Sequence, residues 1–84
     1  MNQMPIPRGL EAVMNINPEI LGGDPCFNGT RVPLETVLDN LAAGYGIDDI
    51  LDDYPSLTRE HINAVLRWEA DLARDAAGLK KRAS

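Results

Sequence analysis

Four side chains in the last third of the chain, Arg59, Asn63, Arg67 and Arg74, are of the types that read nucleic acid. Arginine can pair bidentately with a guanine edge and asparagine with an adenine edge. On a helix, at about 100° per residue, the four fall within one narrow sector. The same residue types also suit a solvated exterior, with the arginines paired to Glu60, Asp71 or Asp75. Between them lie Trp68, Glu69 and Leu72, which suit a different chemistry, recognition of another protein. An aromatic ring on the margin of an apolar side is either core or the anchor of an interface. A glutamate among apolar residues asks for a pairing partner or a partly exposed contact. A cationic end, Lys80, Lys81 and Arg82, could in turn meet carboxylates.

Other groups with chemical potential lack the neighbours that chemistry requires. Asp48, Asp49, Asp52 and Asp53 cluster in sequence, but no histidine or third clustered ligand is placed by spacing to close a Mg²⁺ or Zn²⁺ site, so they read as a solvated face that would repel phosphate. His61, the single histidine, has no nucleophile motif tied to it and reads as a surface residue. Cys26 is the single cysteine, which rules out an internal disulfide and fits a structural, partly or fully buried thiol. Gly22, Gly23 and Gly29 follow neither the Walker nor the dinucleotide-binding pattern. Asn28-Gly29-Thr30 matches a glycosylation sequon, which has meaning only in a secreted protein. Arg31 reads as a structural donor to a carboxylate or carbonyl. No enzyme activity, metal or cofactor is expected.

The elements that must hold these residues can be traced from punctuation and period. Residues 17–33 are dense in turn formers: Gly22-Gly23, Asp24-Pro25 and Asn28-Gly29. No helix can run through them. Asn28-Gly29, between Cys26-Phe27 and Thr30-Arg31-Val32, is the pair a two-residue β-hairpin prefers. Residues 16–20 suit a short strand, with Pro18 limiting it to an edge or a strand start. After Pro33 the period becomes helical: Leu34, Val37, Leu38 and Leu41, then Gly44 as a helix-ending residue. Ile47, Ile50, Leu51 and Tyr54 repeat the pattern, with Asp48 and Asp49 at the favourable end of the helix dipole and Pro55 as the stop. Thr58 offers an N-cap for a longer third helix to about residue 77, before Gly78. Ile62, Val65, Leu66, Trp68, Leu72, Ala73 and Ala76 form its broad apolar side. The expected fold is mainly α: a small β-hairpin followed by three helices in a winged-helix-turn-helix-like unit. The organisation is an N-terminal arm over residues 1–15, the folded domain over 16–77, and a basic tail over 78–84. Met4, Ile6, Leu10, Val13 and Met14 have no long periodicity, so the first stretch is expected to be a frayed end or an arm that orders on a partner.

A sequence of 84 residues is one domain, and at this size it buries only about 60–65% of its unfolded surface, so help from a partner is expected. A net charge of −5, from eight basic and 13 acidic residues, opposes a general nucleic-acid coat. No apolar run approaches the ~18 residues of a membrane span and no leader pattern opens the sequence, so the expected location is the cytoplasm.

Asn17-Pro18-Glu19, Gly22-Gly23, Pro25, Gly29-Thr30-Arg31-Val32-Pro33, the amphipathic helix after them and Tyr54-Pro55-Ser56-Leu57-Thr58 resemble the domain-of-unknown-function family 433. The resemblance covers residues 16–70. It implies a small helix-turn-helix-like fold and a role as an antitoxin of the VapB type, paired with a PIN-like nuclease toxin. Expected partners are therefore a cognate toxin and operator DNA, within a homodimer or a toxin–antitoxin hetero-oligomer. If the toxin is PIN-like, Lys80, Lys81 and Arg82 could plug its metal-binding carboxylates. The alternative is a stand-alone helix-turn-helix DNA-binding regulator.

Overall fold

The computed structural model describes residues 6–79. It holds a two-stranded antiparallel sheet followed by three helices, the fold class expected from the sequence. Strand β1 (Met14–Ile16) pairs with β2 (Pro25–Phe27) in the register Met14 to Phe27, Asn15 to Cys26 and Ile16 to Pro25. The strands are displaced from their expected places. β1 ends before Pro18, where Asn17 starts a turn: its side-chain oxygen accepts the Glu19 N–H (2.9 Å) and its carbonyl accepts the Ile20 N–H (2.9 Å).

Asn28-Gly29 does turn the backbone, with the Thr30 N–H donating to the Phe27 carbonyl (3.0 Å) and Gly29 at φ 76°. The arm beyond it, however, is not a strand. The Thr30 hydroxyl donates to the Phe27 carbonyl (2.9 Å) and accepts the Val32 N–H (3.0 Å), drawing the backbone away from a ladder. The return is limited to a Phe27 N–H to Val32 carbonyl bond (3.0 Å) and a bridge between Cys26 and Pro33. Proline has no N–H with which to continue it. The strand that pairs along β2 comes instead from upstream, and Asn28 fastens the turn to that segment: its N–H donates to the Val13 carbonyl (2.8 Å) and its amide to the Ala12 carbonyl (3.1 Å).

Helix α1 (Leu34–Ala42) starts from an extended Pro33 and ends at Gly44. The Gly44 N–H donates to the Leu41 carbonyl and the Tyr45 N–H to the Asn40 carbonyl (both 3.0 Å), a Schellman ending that needs the positive φ of 94° found at Gly44. Helix α2 (Ile47–Asp53) follows almost at once, its start secured by the Asp49 carboxylate accepting the Gly46 N–H (3.0 Å). Helix α3 (Arg59–Ala76) begins at Thr58 and closes on a second Schellman ending at Gly78 and Leu79.

The core takes fully buried side chains from the N-terminal segment, β2 and each of the three helices: Leu10, Phe27, Val37, Ile50, Ile62 and Val65. Each is worth about 1.5–3 kcal/mol relative to exposure. Leu10, Val13 and Met14 are all buried, so the described part of the expected N-terminal arm, residues 6–15, is built into the domain instead of standing off it. One helical turn explains this: the Val13 and Met14 N–H groups both donate to the Leu10 carbonyl (3.1 Å), which sets the three side chains on one side. Among the described residues no helix is long and apolar enough to cross a membrane.

Candidate partner-binding surface

The long helix is anchored at its start. Thr58 Oγ1 accepts the His61 N–H and His61 Nδ1 accepts the Thr58 N–H, each at 3.1 Å. This is the reciprocal capping box with histidine in the place usually held by glutamate or glutamine. The expected surface histidine is therefore a buried one, with 8% of its area exposed and its ring 5.3 Å from that of Phe27. Capping and packing use the two halves of one imidazole. Burial lowers its pKa, slightly opposed by the neighbouring Glu60. Because Nδ1 is the acceptor, the neutral ring carries its proton on Nε2.

From this anchor α3 presents its side chains to two environments. Ile62, Ala64 and Val65 are buried against the strands and the other helices. Beyond them the helix emerges from the core: Leu66, Leu72 and Leu79 are 38%, 50% and 62% exposed. Trp68 packs on the edge of the core, and the backbone of Gly9 lies over it, since a Cβ at Gly9 would come within 3.5 Å of the indole Cδ1. The N-terminal segment and α3 thus enclose a groove of about 500 Å³. Its cationic walls are Arg8, Arg67 and Arg74; its apolar surface comes from Trp68 and Leu72; Asp71 and Asp75 also line it.

This groove sorts the residues singled out in the sequence. Arg67 and Arg74, expected as nucleic-acid readers, meet Trp68 and Leu72, expected as partner contacts. Arg74 is paired with Asp71 at 3.1 Å, whereas Arg67 is exposed and has no ion pair among the described residues. Arg59 is drawn elsewhere, to Asp48 of α2 at 2.5 Å. Asn63 and Glu69 are half-buried on α3 and do not line the groove. Lys80, Lys81 and Arg82 lie outside the described residues. Arg8 was missed by sequence reading; the spacing of Leu10, Val13 and Met14, one helical turn, was the signal that its neighbourhood is ordered.

The remaining candidates occupy separate places. Asp49, Asp52 and Asp53 face a shallow concavity beside Tyr45, and among the described residues no three His, Cys, Asp or Glu side chains are grouped to hold a metal ion. Cys26 is buried in β2, its thiol within 3.6 Å of the Asp24 carbonyl. Burial, and then the Asp24 charge, push its pKa up, away from the reactive thiolate.

The pattern of a family described as "Protein of unknown function (DUF433)" matches residues 14–68. The chain belongs to this family. The matched span opens at the first residue of β1 and closes at Trp68, so it takes in the sheet, α1, α2 and the anchored half of α3. Arg8, Gly9, Asp71, Leu72, Arg74 and Asp75, six of the nine residues that line the groove, fall outside it. The chain is also similar to "Uncharacterized protein y4eO" of Sinorhizobium fredii (strain NBRC 101917 / NGR234), with 42% identity over 50 residues, 60% of this chain. It spans about a quarter of that relative's length, 23%. No solved structure matches.

Proposed function

We propose that this DUF433 protein is the antitoxin of a type II toxin–antitoxin pair, acting in the cytoplasm by direct, non-catalytic binding to a PIN-like nuclease toxin. The observation that carries this reading is the groove on α3. It combines an aromatic ring and three guanidinium groups, residue types enriched at the centres of protein interfaces, with an exposed leucine beside them. Exposed Leu79 adds apolar surface just past the end of the same helix, while exposed Leu66 lies on the helix's other side. A small domain that leaves this much apolar area uncovered gains stability by binding. The arginines are suited to the carboxylates that surround the metal ions of a PIN-like active site, and the Lys80-Lys81-Arg82 tail would add to that attraction.

A second reading is a stand-alone helix-turn-helix regulator, favoured by the exposed Arg67 on the third helix. Repression of the protein's own operon would use the same surface. The charge distribution supports it less. A recognition helix reads bases with its first turns, and here the first turn of α3 holds Arg59 against the aspartate-rich α2. Duplex phosphates approaching that end would meet Asp48, Asp49, Asp52 and Asp53.

The test is growth of a host expressing the reading frame adjacent to this gene, alone and together with the DUF433 protein. Neutralisation predicts arrest by the neighbour alone and recovery on co-expression. Arrest that persists in the presence of the folded DUF433 protein would overturn the antitoxin reading.

A further inference from the structure

A second concavity lies on a different part of the molecule and shares no residue with the α3 groove. It is a cleft of about 530 Å³ between the β1 end, the turn after β2 and the connection leading into α3. Asn15, Asn17, Thr30, Arg31 and Ser56 supply its polar lining. Most of these belong to the turn-rich stretch whose composition neither the core nor the proposed interface accounts for.

Their hydrogen-bonding states point in one direction. The Thr30 hydroxyl is fully used within the turn, donating to Phe27 and accepting from Val32, which fixes the backbone that carries Arg31. The Asn17 oxygen accepts the Glu19 N–H, so its remaining polar group is the amide NH₂. The side chains of Asn15, Arg31 and Ser56 make no hydrogen bond or ion pair among the described residues. The lining therefore presents a guanidinium fork, two amides and a hydroxyl, a surplus of donors over acceptors. None of the protein's 13 acidic residues lines the cleft among the described residues. Arg31 is exposed, and Gly29 at φ 76° with the Thr30 bonds holds its loop in one shape.

An acid-free set of donors around one guanidinium, carried on a turn that Gly29 and Thr30 fix, is complementary to a planar anion of single charge. We propose that this cleft binds a carboxylate presented by a protein partner, with Arg31 as the charged contact and Asn15, Asn17 and Ser56 as neutral donors. Phosphate of a nucleic acid fits less well, because a polyanion needs several cations in a row and the cleft holds one, in a protein of net charge −5.

The site is tested with the full-length protein, ¹⁵N-labelled, by following amide resonances as small probes are added. N-acetylglycine represents the terminal carboxylate of a polypeptide, N-acetylglutamate α-amide an acidic side chain, N-acetylglycinamide the neutral control, and inorganic phosphate the competing anion. The expected result is saturable shifts at Asn15, Asn17, residues 29–32 and Ser56 with one or both carboxylates; the better of the two names the source. The neutral control should produce none. Arg31→Gln should bind about tenfold more weakly with an otherwise unchanged spectrum, since a hydrogen bond to a charged group is worth more than a neutral one. Ser56→Ala should weaken binding less. Three outcomes would each overturn the assignment: no saturable shift in this cleft, equal shifts in Arg31→Gln, or tighter binding of phosphate than of either carboxylate. None of these outcomes bears on neutralisation through α3.

Discussion

The two halves of α3 are one continuous helix with opposite duties. In the first half Thr58 and His61 cap each other, Arg59 reaches Asp48 across the surface, and Ile62 and Val65 are fully buried. In the second half Leu72 faces outward, and Arg67, at the boundary between the halves, has no ion pair among the described residues. The contrast teaches that the start of the helix holds much of the stability of the domain, while its end adds little to the core and is where the proposed partner would dock. The family match agrees with this division, ending at Trp68 where the helix leaves the core.

The comparison breaks most visibly by cutting into the anchored half. Ile62→Ala should cost about 2–5 kcal/mol, because a fully buried side chain leaves a cavity. Leu72→Ala, half exposed, should change stability by no more than about 0.5 kcal/mol. Urea denaturation of the two variants compares them directly. Removing the cap has a smaller effect: Thr58→Ala should lower stability by about 0.5–2 kcal/mol, seen as a reduced midpoint with an unchanged denaturant slope.

The same cap makes the anchored half sensitive to acid. Burial holds the His61 pKa below its ordinary value, whereas in the unfolded state it titrates near ~6.5. As pH falls through that value the unfolded state takes up a proton that the folded state resists. The contribution is therefore complete above pH ~6.5 and is lost progressively toward the lower folded pKa. A protonated Nδ1 also cannot accept the Thr58 N–H. Thermal melts of wild type between neutral and mildly acidic pH should show this decline, and His61→Gln, which retains an acceptor, should flatten it. The smallest effect is expected at the Arg59–Asp48 pair, whose side chains are 57% and 84% exposed. Arg59→Ala should cost between about 0 and 1 kcal/mol, less at high salt.

Much of the fold was legible because its signals are local. Gly44 and Gly78 mark helix ends through a positive φ that other residues avoid, and Thr58 marks a start through a hydroxyl two or three residues from unpaired N–H groups. The second strand of the hairpin was not legible at 30–32, because the hydroxyl of Thr30 competes with the ladder and the true partner strand lies upstream, at Met14–Ile16. His61 was misread for a related reason. Its burial depends on Phe27, 34 positions earlier in sequence, and no periodicity within α3 reports that contact. The groove was half legible: Arg67, Trp68, Leu72 and Arg74 share a helix, but Arg8 joins them through a fold of the N-terminal segment that one short turn alone announces.

The central claim is that the exposed end of α3 captures a partner protein. Its most direct test is the dissociation constant between the full-length protein and the product of the adjacent reading frame, measured by titration calorimetry. Wild type should bind. Arg67→Glu and Leu72→Ala, both exposed and outside the core, should weaken binding at least about tenfold, as expected of contacts near the centre of an interface, while Arg59→Ala should bind like wild type. Absence of binding by wild type, or equal affinity for wild type, Arg67→Glu and Leu72→Ala, would contradict the account.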